Sequence, residues 1–202
     1  ERMKWKSVVL NELDESHNFD LVVGYGWCNK YIFEHYQSRK IKYIYIDLGY
    51  WSRKHYKSDY NGYHKCILNA RHPTTYFQRG RDSQRITIDA PVLRPWRKPR
   101  KSNHIVLAGM SGKGALSVGF EPMVWERRVV QQLRRATKRS IVYRPKPSWR
   151  AYTPIDGIET SHDTQPISDI LLNAHVLVTY YSNASIDALA YGVPIYTIEG
   201  PC

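Results

Sequence analysis

From residue 104 onward the chain alternates short apolar runs with segments of helical spacing, and that alternation limits its second half to very few architectures. Four runs are predicted as strands: His104-Ile105-Val106-Leu107-Ala108-Gly109, Ile141-Val142-Tyr143-Arg144-Pro145-Lys146-Pro147, Val176-Leu177-Val178-Thr179-Tyr180 and Val193-Pro194-Ile195-Tyr196-Thr197-Ile198. A Gly-rich loop is expected over 110–119. A helix is expected from Glu121, with Pro122 at its first position and Met123, Val129, Val130, Leu133 and Ala136 at helical spacing. Shorter helices are predicted over 167–174 and over 183–191, the latter closed by Gly192. The order βαβαβαβ is a doubly wound α/β pattern, in which ligands meet the loops at the carboxyl ends of parallel strands.

The first half repeats the idea with less signal. Strands are predicted over 20–27 and 41–47, separated by a helix over 29–39, which places the loops 24–27 and 47–50 at carboxyl ends. The polar, aromatic stretch 51–85 receives no regular structure, and Asn61-Gly62 is its clearest turn. At Arg94-Pro95-Trp96-Arg97-Lys98-Pro99-Arg100-Lys101, two prolines and five cations interrupt any period. We therefore expect two Rossmann-like domains facing a cleft, residues 1–95 and 104–202, joined by a basic linker over 96–103.

Thirty Lys and Arg against eighteen Asp and Glu give a net charge of +12. A field of that sign favours a polyanionic partner: nucleic acid first, then an anionic polysaccharide, a membrane surface or a nucleotide. No run approaches the roughly 20 apolar residues of a membrane span, and the first residues lack a signal-peptide core, so a cytoplasmic location is expected. Cys28, Cys66 and Cys202 are odd in number and far apart, which reads as free thiols. The eight histidines show no metal-ligand spacing, and no metal is assigned. The chain opens on Glu1 rather than Met and stops at Pro201-Cys202 after a strand-like run, so a C-terminal continuation is an expectation.

The run Ser182-Asn183-Ala184-Ser185-Ile186-Asp187-Ala188-Leu189-Ala190-Tyr191-Gly192-Val193-Pro194 begins where a strand hands over to a helix. Free N–H groups at such a start hold a phosphate, and Asp187, one turn on, can accept bonds from ribose hydroxyls. Read plainly, Ser182 or Asn183 is an N-cap and Asp187 a first-turn acid. Taken in order, the run resembles the donor-binding signature of GT-B glycosyltransferases. Tyr143-Arg144-Pro145-Lys146-Pro147 resembles the Arg-Pro-x-Pro segment of capsule-type and phage-type members, with Lys146 where those enzymes often carry His. Gly109-Met110-Ser111-Gly112-Lys113-Gly114 is similar to the Gly-rich loop that opens their C-terminal domain. It is not a Walker A loop, because Gly112-Lys113-Gly114 replaces the Gly-Lys-Ser/Thr ending, and Gly24-Tyr25-Gly26 lacks the third glycine of a dinucleotide fingerprint.

The resemblance implies a compact GT-B-like enzyme with a UDP- or GDP-sugar as co-substrate and no prosthetic group. It implies donor contacts from Gly109, Ser111, Gly112, Lys113, Arg144, Lys146, Ser182, Asn183 and Asp187, with cations and helix N–H groups steadying the leaving phosphate. A general base in such enzymes comes from the N-terminal domain. Asp47, ending an apolar strand, is the first choice, ahead of Asp59, His55, His64 and His17; a strand-terminal Asp is also an ordinary turn former. The loop Gly49-Tyr50-Trp51-Ser52-Arg53 with Asn61-Gly62 is similar in outline to phage-encoded members. Tyr50, Trp51, Arg53, Arg97, Arg127, Arg128 and Arg134 are then the expected acceptor contacts, aromatics stacking on a flipped base and cations on phosphates. The implied reaction is sugar transfer to a 5-hydroxymethylpyrimidine in phage DNA, in a bacterial host cytoplasm. The alternatives are transfer to a polysaccharide or lipid-linked glycan, and a non-catalytic basic module that binds nucleic acid or nucleotide.

Overall fold

Parallel strands buried on both faces need apolar residues at consecutive positions, and His104-Ile105-Val106-Leu107-Ala108 supplies them. The computed structural model describes residues 18–26, 30–50, 64–72, 93–98, 103–162 and 164–200. Within them, β4 (His104–Ala108) is the middle strand of a five-stranded sheet with β5 (Ile141–Arg144), β6 (Glu159–Thr160), β7 (Ala174–Thr179) and β8 (Ile195–Thr197). The order is β6-β5-β4-β7-β8, with every pairing parallel. Ile105 and Leu107 of β4 pack with Ile141, Tyr143 and Val178 against one core, while Val106 and Ala108 pack with Val142 and Leu177 against the other. The first core is closed by Ala115 of α2 (Gly112–Ser117) and by Trp125 and Val130 of α3 (Val124–Ala136). Ile170 and Leu171 of α4 (Ile167–Leu171) and Ala188 of α5 (Ala184–Ala190) close the second. The chain is thus mixed α/β with a doubly wound parallel sheet, as the alternation predicts.

A smaller sheet precedes it. β1 (Leu21–Tyr25) runs parallel to β2 (Lys42–Leu48), and β3 (His64–Leu68) adds antiparallel to β2. Between β1 and β2, α1 (Lys30–Ser38) lays Phe33 over one face, where it packs with Tyr43, Tyr45 and Ile67. Gly24 makes that approach possible, because a Cβ there would stand 2.5 Å from the Phe33 ring.

Several predicted boundaries move. The helix expected from Glu121 begins at Val124, because Met123 takes a left-handed φ of 69° and separates Pro122 from the helical turn. Half of the Gly-rich loop is helix α2. The helix placed over 167–174 stops at Leu171, and Ala174 already pairs in β7. β3 and β6, two short strands rich in polar residues, went unassigned. The basic segment expected as a linker makes defined contacts at residues 94–97: Arg94 N donates to Ala190 O at 2.9 Å and Arg97 N to Gly192 O at 3.1 Å. Gly192 has φ 66° and would drive a Cβ to 2.1 Å from Pro95 O, so only glycine closes α5 against this segment. Among the described residues no helix is long and apolar enough to cross a membrane.

Candidate active site

The sheet order itself selects a place. From β4 the chain winds outward through β5 and β6, then returns to the other side of β4 for β7 and β8, so the loops after β4 and β7 diverge at the topological switch point. Gly109, Ser111 and Gly112 follow β4, and Ser182 and Asn183 follow β7. The two loops touch: a Cβ on Gly114 would lie 1.8 Å from the Tyr181 hydroxyl.

Short bonds set the shape of the first loop. Gly109 N donates to Arg144 O at 2.9 Å, and Met110 N donates to the Glu126 carboxylate at 2.8 Å. Ser111 caps α2, its hydroxyl accepting from Gly114 N at 3.2 Å. A side chain on Gly109 would meet the Tyr143 ring at 2.7 Å. Lys113 stands exposed on α2. In the second loop, Ser182 N donates to Thr179 Oγ1 and Ser182 Oγ accepts from Ala184 N, each at 3.2 Å. Asn183, at the N-cap, makes no side-chain cap bond, and Asp187 lies half-buried one turn on.

The predicted cations behave differently from one another. Arg144 is buried at the end of β5, where its guanidinium donates to Ser161 Oγ at 3.4 Å and to the His162 carbonyl. It therefore ties β5 to the segment after β6. Lys146 is exposed, two residues further on.

On the smaller sheet, Asp47 is the next-to-last residue of β2, one residue short of the strand's end. Its carboxylate accepts from the Tyr45 hydroxyl and from Leu48 N at 2.8 Å, and Lys65 Nζ stands 3.9 Å away. The Lys65 side chain is only 8% exposed and lies over the Tyr45 and Tyr50 rings, 5.3 and 4.9 Å from their centroids. Tyr50 stacks on His72 and bonds its Nδ1 at 3.0 Å. Burial, then the cations of Lys65 and Arg71, push the His72 imidazole down to about 3. Burial, followed by the Asp47 bond, pushes the Tyr45 hydroxyl up.

Arg71 carries this cluster to the larger sheet. Its guanidinium lies 4.3 Å from the Tyr181 ring centroid and 3.5 Å from the Glu199 carboxylate. Asp47 in β2, with Tyr50 and His72 just beyond β2 and β3, is thereby linked through Arg71 to the loop that carries Ser182 after β7.

The expected acceptor arginines are not gathered there. Arg97 donates to the Leu171 and Leu172 carbonyls at the end of α4. Arg127 bonds Thr153 Oγ1 at 2.8 Å and Arg134 bonds Gly157 O at 2.6 Å, while Arg128 lies over the Phe120 ring. Trp51, Arg53, His17, His55, Asp59, Cys28 and Cys202 lie outside the described residues. His64 begins β3, exposed and edge-on to Tyr25, and Cys66 is a free thiol.

Sequence reasoning missed Lys65, Arg71, His72, Tyr181 and Glu126. Only the last carried a signal, as an acid directly before Arg127 and Arg128 in a predicted helix.

No family model and no curated protein matches the chain. A solved structure, Thermosulfurimonas dismutans KpsC, beta Kdo 2,4 transferase, is similar to it with a TM-score of 0.54 and 11% sequence identity, over 88% of this chain and 68% of that one. The likeness is one of fold: the chain shares a mixed α/β architecture with that structure.

Proposed function

We propose that this protein is a glycosyltransferase that moves a sugar from a nucleotide-sugar donor to a hydroxyl acceptor. The observation that carries the reading is the convergence at one place of the switch-point loops and, through Arg71 and Tyr181, the Asp47 cluster. In this reading the donor phosphate meets the loops after β4 and β7 where they diverge at the switch point. Asp187 accepts from the ribose, and the side chains of Lys113 and Lys146 approach the phosphate from solvent. Arg144 contributes by holding the end of β5. The acceptor oxygen bonds to the anomeric carbon as the bond to the donor phosphate breaks. The nucleotide leaves with that electron pair, and the acceptor proton passes to Asp47. Lys65 and Tyr45 fix the carboxylate that receives it. The small sheet is then the acceptor side and the five-stranded sheet the donor side, with the boundary near residues 96–103.

A glycan hydroxyl is the first reading of the acceptor. The neighbour's name is that of a sugar transferase, and Arg97, Arg127 and Arg134 spend bonds on their own backbone or side chains. The net charge of +12 favours a second reading, a 5-hydroxymethylpyrimidine in phage DNA.

The test offers UDP-, GDP- and CMP-linked sugars, Kdo among them, with capsule-type oligosaccharides or with duplex DNA carrying 5-hydroxymethylcytosine or 5-hydroxymethyluracil, and weighs the products. We expect a sugar mass on one acceptor class, turnover reduced about 10²-fold or more in Asp47→Asn, and weakened donor binding in Asp187→Ala. Donor hydrolysis or transfer unaffected by Asp47→Asn removes the base assignment. Failure of the protein to bind any nucleotide removes the enzyme reading.

A further inference from the structure

A carboxylate buried inside a protein is costly unless both its oxygens are bonded, and one left half-bonded calls for a reason. Glu126 is such a group. It is 1% exposed in the first turn of α3, Oε1 accepts from Met110 N at 2.8 Å, and Oε2 has no hydrogen-bond partner among the described residues. Burial pushes its carboxyl up, against the opposing pull of the Met110 bond, and its charge in turn helps push up the Tyr143 hydroxyl. An apolar side chain of similar volume would fill this place without a buried charge.

What Glu126 holds is specific. Three successive residues after β4 are tied to three different parts of the fold: Gly109 N to β5, Met110 N to α3 through Glu126, and Ser111 to the first turn of α2. Of the three, the middle tie alone rests on a side chain from another element. Met110 is itself 3% exposed, so no water replaces Glu126 as acceptor without moving the turn.

We propose that Glu126 is a positioning residue for the donor site, its carboxylate holding the Met110 N–H so that the turn between β4 and α2 keeps its ligand-binding shape. This rests on the glycosyltransferase reading only for the identity of the ligand. The residue is kept for the shape of the turn at a cost to the fold, and that separates it from an ordinary core contact. An ordinary core contact would be improved, or left as it is, by an isosteric apolar group.

The experiment compares the wild type with Glu126→Leu, Glu126→Met and Glu126→Gln, reading UDP, GDP and CMP affinity by calorimetry and amide exchange of the peptide that contains Met110. We expect Leu and Met to weaken nucleotide binding at least 10-fold, to speed Met110 exchange at least 10-fold, and to leave the thermal midpoint equal or higher. Gln, which keeps the acceptor oxygen, recovers most of both losses. Unchanged Met110 exchange in Leu and Met overturns the proposal, as does a Gln variant as impaired as Leu. If Leu does not fold, Met and Gln decide by the same two readings. A wild type that binds no nucleotide removes the enzyme reading and with it the donor role; Met110 exchange then still decides whether Glu126 holds the turn.

Discussion

His72 stays neutral in the fold first because burial disfavours its charged form, and then because charging it would place a third cation beside Lys65 and Arg71. Its pKa falls from an ordinary 6.5 to about 3, so below pH 6.5 the unfolded chain binds a proton that the native protein refuses until about pH 3. Acid therefore drives unfolding across that window, at up to about 1.4 kcal/mol per pH unit for the one proton. Denaturant titrations at stepped pH should show stability falling from pH 6.5 toward 4, with His72→Gln flattening the fall by that single-proton slope. A slope untouched by the substitution would mean that His72 titrates normally. Glu126 has the opposite sign: its carboxyl is raised, so its contribution is present at low pH and is lost as pH rises through its folded value. Glu126→Gln should therefore steepen the net acid loss that His72→Gln relieves.

The contact of α2 with the loop after β7 is set by one missing methyl group. A Cβ on Gly114 would lie 1.8 Å from the Tyr181 hydroxyl and 3.2 Å from its Cζ. Alanine is favoured over glycine in a helix by about 1 kcal/mol, but the overpacking it brings costs about 1–3 kcal/mol, so the clash should win. Gly114→Ala is expected to destabilise, and Tyr181→Phe, which removes the nearest atom, to recover much of the loss. Denaturation midpoints of the two single variants and the double variant check this, and strictly additive effects would reject it. None of this was legible in the sequence, where Gly114 is one of several glycines and Tyr181 one of sixteen tyrosines. β4 and β7 were legible, because burial on both faces forces an unbroken apolar run. β3 was not: of His64-Lys65-Cys66-Ile67-Leu68, only Ile67 is buried, and Lys65 buries its stem under tyrosine rings that no periodicity marks. The start of α3 was misplaced because Pro122 suits a first helical position, while Met123 takes a left-handed turn that only tertiary packing imposes.

Between the two sheets the decisive group is again a cation the sequence did not single out. The conspicuous arginines of α3 bond the segment 153–157 or lie on Phe120, so a charge of +12 read from composition says little about where a ligand meets the protein. Arg71, isolated in a polar stretch, stacks on Tyr181 and pairs with Glu199. A cation–π contact contributes about 0.5–2 kcal/mol and a part-exposed ion pair about 0–1 kcal/mol. Their sum, about 0.5–3 kcal/mol, matters beside a total stability of about 5–15 kcal/mol. With a urea slope of about 1–3 kcal/mol/M, losing it shifts a locally coupled unit by roughly 1 M. In the wild type, amides of Lys42–Leu48 and of His104–Ala108 should lose protection at the same urea concentration. In Arg71→Ala the β2 amides should go first, by roughly that interval. Arg71→Lys keeps the charge for Glu199 but loses the planar stack on Tyr181, so it should fall between the two. Coincident loss of protection in Arg71→Ala would show that the sheets are coupled by other contacts, and the acceptor side would then need no latch at Arg71 to stay in register with the donor loops.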